Sequence, residues 1–539
     1  MNHFLTVLRH SRRLLLWASL FLTVLVLFGW LVLQFTVLND VGRYRPQVIE
    51  ALSKAIGTRV EIGQLNSTGI GLLPTLSMDQ ITIYDPQGKP GLALDHVQGR
   101  LSLWGLLRGR LDLSTLIINE PTLTLRRAPD GLLLLSGIPL PRNPEGPSNF
   151  LDWLLNQGEI RITHARITWF DDQLAAAPLV LQNGQIRIRN SGNRHRMEAD
   201  FDPPDALATH THLEADFNGS YITTFADWRG KAVVHAERID AAALKPWLPQ
   251  LGLIERAYGT VTATISAREQ QQWGVDIETD LRQVIVHVDP HLAALQFDHL
   301  KGQLGFMHVT GGYEMSAHHL SCDGVCSVHI TQPLEARFLN TQKGGALTVN
   351  QLSAAQASAV LDLLPLSAVQ RTQWNNAGLK GVASKLSLSW NGTLESMSAL
   401  SMQANLVGFS VSALNGWPAI HNFTGYVASN PESGALKGHG DLITVNAPTV
   451  FPTPLDFQSY SVDAGWVVQG VNTRLTVTRL EVANADAAGY VTGAVTLGPD
   501  GPGESTLSGE LQRAQVAAVW RYLPVGISCL LYTSDAADE

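Results

Sequence analysis

A few groups of residues in this 539-residue chain carry types that do chemistry. Cys322 and Cys326 flank Asp323-Gly324-Val325, a turn-forming sequence, and His318, His319 and His329 lie close by. Across a tight hairpin the two thiols could form a disulfide in an oxidising compartment. They could equally stay as packed thiols, and a metal site is a further reading whose spacing matches no standard zinc pattern. His210-Thr211-His212 could put two imidazoles on one strand face with Glu214 beyond. No third ligand cluster accompanies them, so exposed strand residues account for the same pattern. Asp171-Asp172 after Trp169 could act as a carboxylate pair, but reads better as a solvated hairpin turn. Asn391-Gly392-Thr393 is a formal glycosylation sequon. The sequence carries no P-loop, no GxGxxG opening a helix, no HExxH and no GxSxG. The expectation is a protein that is not an enzyme, with no catalytic residue, no metal and no cofactor.

The composition agrees with a binding role. Charged residues are 16% of the chain and hydrophobic ones 45%, against about 25% charged for an average soluble domain. Such a chain must bury much of its surface or keep an apolar surface for a ligand. The net charge of -9 argues against nucleic acid as a partner.

The elements that would position such a surface begin with Leu14 to Leu38, which holds no charged residue. About twenty apolar residues in a helix cross a bilayer. The run exceeds the h-region of a signal peptide, about 7–15 residues, and no A-x-A-like site follows. Residues 14–38 are therefore expected to be an uncleaved transmembrane anchor. Arg9, Arg12 and Arg13 outweigh Arg43 and Arg45, which Asp40 dilutes, so residues 1–13 are expected on the cytoplasmic side.

Past the anchor, Tyr44, Val48, Leu52 and Ile56 share one helical face, with Asp40 placed to cap and Gly57 to stop it. The period then changes from helical to two. Residues 39–136 read as a first β module. Residues 137–158 read as a Pro/Gly-rich loop followed by a short helix capped by Ser148. Residues 159–528 read as strand after strand, wet on one face and dry on the other. Candidate residues of the dry face are Ile160, Ile162, Ile167, Trp169, Ile186, Ile188, Val261, Ala263, Ile265, Leu386, Leu388 and Trp390.

An Ala-rich helical turn ending in Leu-Pro recurs at Ala241–Pro249, Ala354–Pro365 and Ala514–Pro524. The fold class is mainly β: a repeated antiparallel sheet with short helices. A second sheet could cover its dry face, as in a sandwich. Alternatively the sheet could curl into an open trough, and the repetition would let it grow in one direction without closing. Residues 529–539, CLLYTSDAADE, fit nothing before them and resemble a translated sequencing adapter, so they are set apart as an artefact.

The stretches NDVGRYRPQVIEALSKAIGTRVEIGQL and LDHVQGRLSLWGLLRGRLDLSTLIINEPTLTLRRAPDG resemble the start of AsmA-like proteins of Gram-negative bacteria. LNQGEIRITHARITWFDDQ, LVLQNGQIRIRNSGNRHR and WRGKAVVHAERIDAAALKPWLP are similar to the YhdP branch of that family. The resemblance implies a single-pass inner-membrane anchor and a periplasmic β-groove lined by the candidate residues above. It implies a bridge that carries phospholipid toward the outer membrane, supporting the lipid balance and permeability barrier there. Membrane lipids would then be the partners, together with outer-membrane or periplasmic proteins. A reading of another class is a periplasmic scaffold that offers a sheet edge to outer-membrane proteins during assembly.

Overall fold

The computed structural model describes residues 17–21, 23–24, 40–68, 75–85, 87–102, 105, 112–140, 153–174, 176–219, 228–267, 272–287, 294–327, 333–361, 368–393, 396–413, 418–448, 450–499 and 501–523. The chain divides into two units, one of residues 1–252 and 259–271, the other of residues 253–258 and 272–539. The fold is mainly β.

The first unit opens with a 3-10 turn, Val41–Tyr44, and a helix, Arg45–Ile56. Pro46 sits in the helix's first turn, where no amide hydrogen is needed, and Gly57 ends it at φ +79°. Asp40 makes no side-chain capping bond, so the expected cap is absent. The strands of this unit are β1 (Val60–Thr68), β2 (Thr75–Tyr84), β3 (Pro90–Leu101), β4 (Leu113–Asn119), β5 (Thr122–Arg127), β6 (Leu133–Leu135), β7 (Ile138–Leu140), β8 (Glu159–Asp171), β9 (Leu179–Ser191), β10 (Arg194–Asp202), β11 (His210–Asn218) and β12 (Arg229–Asp240). Strand β13 (Ile254–Ala267) follows.

Two pairings depart from the antiparallel expectation. Strands β4 and β5 lie end to end along β8, and both pair with it in parallel. The chain from β5 to β8 passes through the β6–β7 hairpin and a helical turn, which supplies the long crossover that parallel strands need. The region expected as loop from 137 therefore begins with a strand whose Ile138 is buried in the core.

The second unit continues with β14 (Trp273–Val286), β15 (Leu295–Val309), β16 (Gly312–Cys326), β17 (Leu334–Thr341), β18 (Gly344–Ser353), β19 (Lys380–Asn391), β20 (Ser398–Val411), β21 (Ala419–Ser429), β22 (Ser433–Asn446), β23 (Leu455–Gln469), β24 (Asn472–Ala483), β25 (Ala487–Gly498) and β26 (Gly501–Ala514). Each strand pairs antiparallel with the next. Among the described residues β26 makes no pairing back to β14, so this sheet is open.

Long strands in both units are interrupted by a residue with positive φ. These include Gln80, His164, Asn183 and Arg238 in the first unit, and Gln283, His319, Lys385, Asn422 and Leu442 in the second. Register shifts accompany many of them, as at Ile162/Ala165 in β8 and Ala317/Leu320 in β16. Where the register shifts, the break is a β-bulge, which inserts one residue, bends the strand and increases its twist; at Gln80 and Gln283 the register runs through unshifted. Glu120, at φ +51°, makes the equivalent break between β4 and β5. Its amide donates to the Thr163 carbonyl at 2.7 Å, beside the His164 bulge of β8. The bulges of neighbouring strands thus form a crease across each sheet.

The recurring Ala-rich segments each follow an even-numbered strand. The first is a run of turns ending in the 3-10 helix Pro249–Leu253, started by Asp240, whose Oδ1 accepts from the amides of Ala242 and Ala243 at 3.0 and 3.1 Å. The second is the helix Ala354–Leu361, closed by a reciprocal capping box between Ser353 and Gln356. The third is the 3-10 helix Val516–Tyr522.

Where β21–β23 cross the crease, Phe423, Ile443 and Tyr460 are buried together. The Tyr460 hydroxyl accepts from the Thr424 amide at 2.6 Å and donates to the Thr424 carbonyl at 3.1 Å, which satisfies both backbone groups that the irregularity frees. Tyr460→Phe should strand them and cost about 1–3 kcal/mol. Hydrogen exchange at the Thr424 amide should become faster in this variant while distant strands keep their protection.

Candidate functional site

The first unit holds an apolar cavity of about 150 Å³. Its roof is the helix Arg45–Ile56, through Val48, Leu52 and Ile56, together with Trp153 and Leu154. Its floor is β1–β5, β8 and β9, including Val60, Met78, Leu116 and Ile160. Every lining residue is apolar. Native interiors leave few voids larger than a water molecule, and an apolar cavity of this size stays dry and can accept a hydrocarbon.

Three expected dry-face residues, Ile160, Ile162 and Ile188, line this cavity, and Ile186 pairs with Ile162 beside it. Past the His164 bulge, Ile167 pairs with Leu181 and Trp169 with Leu179. The bulge adds one residue, so Ile160, Ile162, Ala165, Ile167 and Trp169 stay on one face although the alternation slips by one. Val261, Ala263 and Ile265 alternate along β13, with Ile265 43% exposed.

In the second unit, Leu386, Leu388 and Trp390 pair with Val349, Leu347 and Gly345. They belong to rows that run across many strands. Ile277 pairs with Leu304, Leu304 with Ala317, Ala317 with Ala336, Ala336 with Val349 and Val349 with Leu386. Ala404, Val427, Leu436, Ala464 and Val477 follow in the same way. The adjacent row on the other face reads Asp276, Gly305, Ser316, Arg337, Thr348, Ser387 and Gln403.

A covering sheet would bury the apolar rows throughout. Instead Ile277, Ala317, Ala336, Leu347 and Leu388 are half-buried, and Leu304 and Phe306 are each 38% exposed. Among the described residues this stretch of the face is uncovered. Toward the β15–β16 turn it carries a chain of rings that sequence reasoning missed. The Trp273 ring lies tilted 5.5 Å from Phe306, Phe306 stacks 6.2 Å from Tyr313, and tilted contacts continue from Tyr313 to Phe338 at 6.2 Å and from Phe338 to Trp390 at 6.0 Å. The rings stand at different distances from their turns in the chain, so only the register reveals that they are neighbours.

The polar face holds its charges in pairs. Glu159 bridges Arg161 at 3.0 Å and Arg187 at 2.6 Å, and the Arg161 hydrogen bond, then Arg187, holds its carboxyl below the ordinary range. Asp171 and Asp172 form no solvated pair. Each takes a two-pronged Arg, Arg127 and Arg126 respectively, which ties β8 to β5. Burial alone would raise the pKa of Asp171, but Arg127 and the Gln173 and Leu174 amides outweigh it and leave it lowered.

His212 contacts Asp200 at 2.7 Å and Glu214 at 3.3 Å, and His210 lies 3.4 Å from Asp200 and Asp202. Among the described residues no group of three or more His, Cys, Asp or Glu side chains is placed to hold a metal ion. Cys322 and Cys326 form a disulfide with a Cα–Cα distance of 6.3 Å. It does not cross a hairpin, because both cysteines lie in β16. The bridge clips a bulge at Asp323–Val325, whose Val325 amide donates to Asp298 at 2.8 Å. His318 and His319 turn instead to Glu335, at 2.8 and 3.0 Å. His329 and Cys529 lie outside the described residues.

The geometry offers an uncovered apolar face, a dry cavity and a paired polar back. Over residues 1–529 the chain matches the family model described as YhdP protein. The chain belongs to the YhdP family. No curated protein and no solved structure matches it. The match takes in both the cavity and the uncovered face, so these are features of a YhdP-family chain.

One titration follows from the polar face. The Asp200 hydrogen bond, then Glu214, raises the His212 pKa above its ordinary 6.5. A raised folded-state value stabilises the protein fully below the unfolded value, and that contribution fades as pH rises through the folded one. The His212 ring resonances, followed by NMR, should therefore titrate above about 6.5. Asp200→Asn should move that midpoint down and flatten the loss of thermal stability over the same window.

Proposed function

We propose that this protein is a membrane-tethered carrier of phospholipid, in which acyl chains lie on the uncovered apolar faces and headgroups stay in water. Residues 14–38 would anchor it in the inner membrane, with residues 1–13 cytoplasmic and the β units periplasmic. Residues 17–21 and 23–24 of that stretch are helical, and Trp17, Leu20, Phe21 and Val24 are exposed. Among the described residues no helix is long and apolar enough to cross a membrane, and the rest of the expected span lies outside them.

The observation that carries the reading is the row from Ile277 to Leu386, continuously apolar across six strands and incompletely buried. A monomer seldom exposes so long an apolar surface unless something occupies it. Each buried methylene would contribute about 0.8 kcal/mol. Because neighbouring positions along a row are chemically alike, that energy holds a chain without fixing it at one strand. The reading needs no catalytic group. It also suits membership of the YhdP family, whose AsmA-like relatives the opening stretches of this chain resemble.

Phospholipid should be found by mass spectrometry in solvent extracts of the full chain purified from membranes. Ile162→Asp and Val427→Asp place a charge among apolar side chains, which is costly without a partner, and each should lower bound lipid several-fold. Thr476→Asp, on the polar face beside Gly465, should leave it unchanged. A lipid-free chain that brings β-barrel proteins with it would count for an assembly scaffold instead.

A further inference from the structure

The cavity of the first unit has a closed end and an open one. Its closed end lies over β1–β3, where the lining residues Val60, Ile81, Ile83, Leu92 and Leu94 are each 7% exposed or less. The helix Arg45–Ile56 covers them from above. Toward β8 and β9 the burial relaxes. Ile118, Leu123, Ile162 and Ile188 also line the cavity and are half-buried. A strand side chain stands on one face of its sheet. The surface that Ile162 and Ile188 expose therefore lies on the dry face, and the cavity is reached from there.

That face continues beyond the mouth. Ile160 pairs with Ile188, Ile188 with Met197, Met197 with Ala215 and Ala215 with Ala232. Beside this row, Ile162 pairs with Ile186, Ile186 with Ala199, Ala199 with Leu213 and Leu213 with Val234. Both rows are apolar from β8 to β12, and all their members beyond β9 except Ala199 are half-buried. At about 4.8 Å between strands, the rows run about 19 Å. The cavity's volume of about 150 Å³ suits a benzene-sized guest, about six carbons. One leaflet of a bilayer holds its chains in about 15 Å, half the hydrocarbon thickness. A chain of that length with about six carbons in the cavity ends over β10 or β11, still on the rows.

We propose that the cavity seats the methyl end of a single straight acyl chain, with the rest of that chain laid across β8–β11. Phospholipid as the source of the chain rests on the carrier reading above; the seat adds where the chain ends and which way it points. The charged end cannot be the one inside, because the cavity wall presents no polar surface and an unpaired charge there is costly. Two chain ends side by side would need about twice the volume, so one chain enters. Each methylene taken from water should tighten binding about four-fold until cavity and rows are filled.

The test labels the two ends of one chain separately. The full chain is purified in a sterol-based detergent, whose fused rings are too bulky for the cavity. It is loaded with palmitic acid, or with phosphatidylethanolamine carrying a palmitoyl chain. Each lipid comes in two forms, with a diazirine beside the methyl end or beside the carboxyl. After illumination the labelled peptides are mapped by mass spectrometry. The methyl-end probe should label the helix Arg45–Ile56 and β1–β3 several-fold more than β10–β12, and the carboxyl-end probe should give the reverse. Val48→Phe fills the cavity from the helix and should cut methyl-end labelling of β1–β3 several-fold, with labelling of the second unit unchanged. If this variant melts early, the wild-type maps decide alone. Equal maps from the two probes, or methyl-end label centred on β10–β12, overturn the seat and leave the carrier standing. The expected maps with palmitic acid but none with phospholipid keep the seat and overturn phospholipid as cargo. No labelling by any probe overturns both.

Discussion

The structure depends on keeping one face of each long strand apolar across a bend. A strand of 12–15 residues cannot curve in the middle and preserve strict alternation, because a bulge shifts every later side chain to the opposite face. In β8 the sequence shifts with it: Ile160 and Ile162 precede His164, and Ala165, Ile167 and Trp169 follow. The extra residue and the slipped pattern cancel, and the apolar face continues through the crease. Positive φ at residues other than glycine is uncommon and costs free energy. Its recurrence at mid-strand shows that the bend is part of the fold's plan. Asn183 and Asn422 suit such positions, since a short polar side chain tolerates the left-handed region.

Bending alone does not determine what the apolar face does. In the first unit the helix Arg45–Ile56 and the Trp153–Leu154 turn pack onto it, and the result is a core with one dry cavity. In the second unit no such roof lies over the rows from β14 to β17 among the described residues, and their side chains stay partly in solvent. Further along, Phe423 and Tyr460 occupy the crease themselves, over Gly438 and Gly440, whose missing side chains make room for the rings. One sheet design therefore yields a roofed pocket, an open face and a filled crease, according to what lies above the strands.

The polar face has a different task. Its arginines, histidines and carboxylates pair across strands, as Arg194 and Arg196 do with Asp216 and Arg337 does with Glu314. Exposed pairs of this kind contribute little each. Their larger effect is on register, because opposite charges facing one another favour one alignment and like charges penalise a slip. A sheet whose other face is uncovered has less packing to hold its register, so the polar side carries more of that burden.

The class of the fold is written in the sequence. Period-two alternation, turn residues at strand ends and the Ala-rich Leu-Pro segments follow from local backbone preference and from one-sided burial, so β8, β9, β19 and a helical turn from Ala354 were legible in it. Tertiary structure alone decided which strands met. The parallel pairing of β8 with β4 and β5, the placement of both bridged cysteines in one strand, and the chain of rings from Trp273 to Trp390 all depend on register between distant segments. No local pattern encodes that register, because a strand's alternation specifies which face is dry but not what stands beside it.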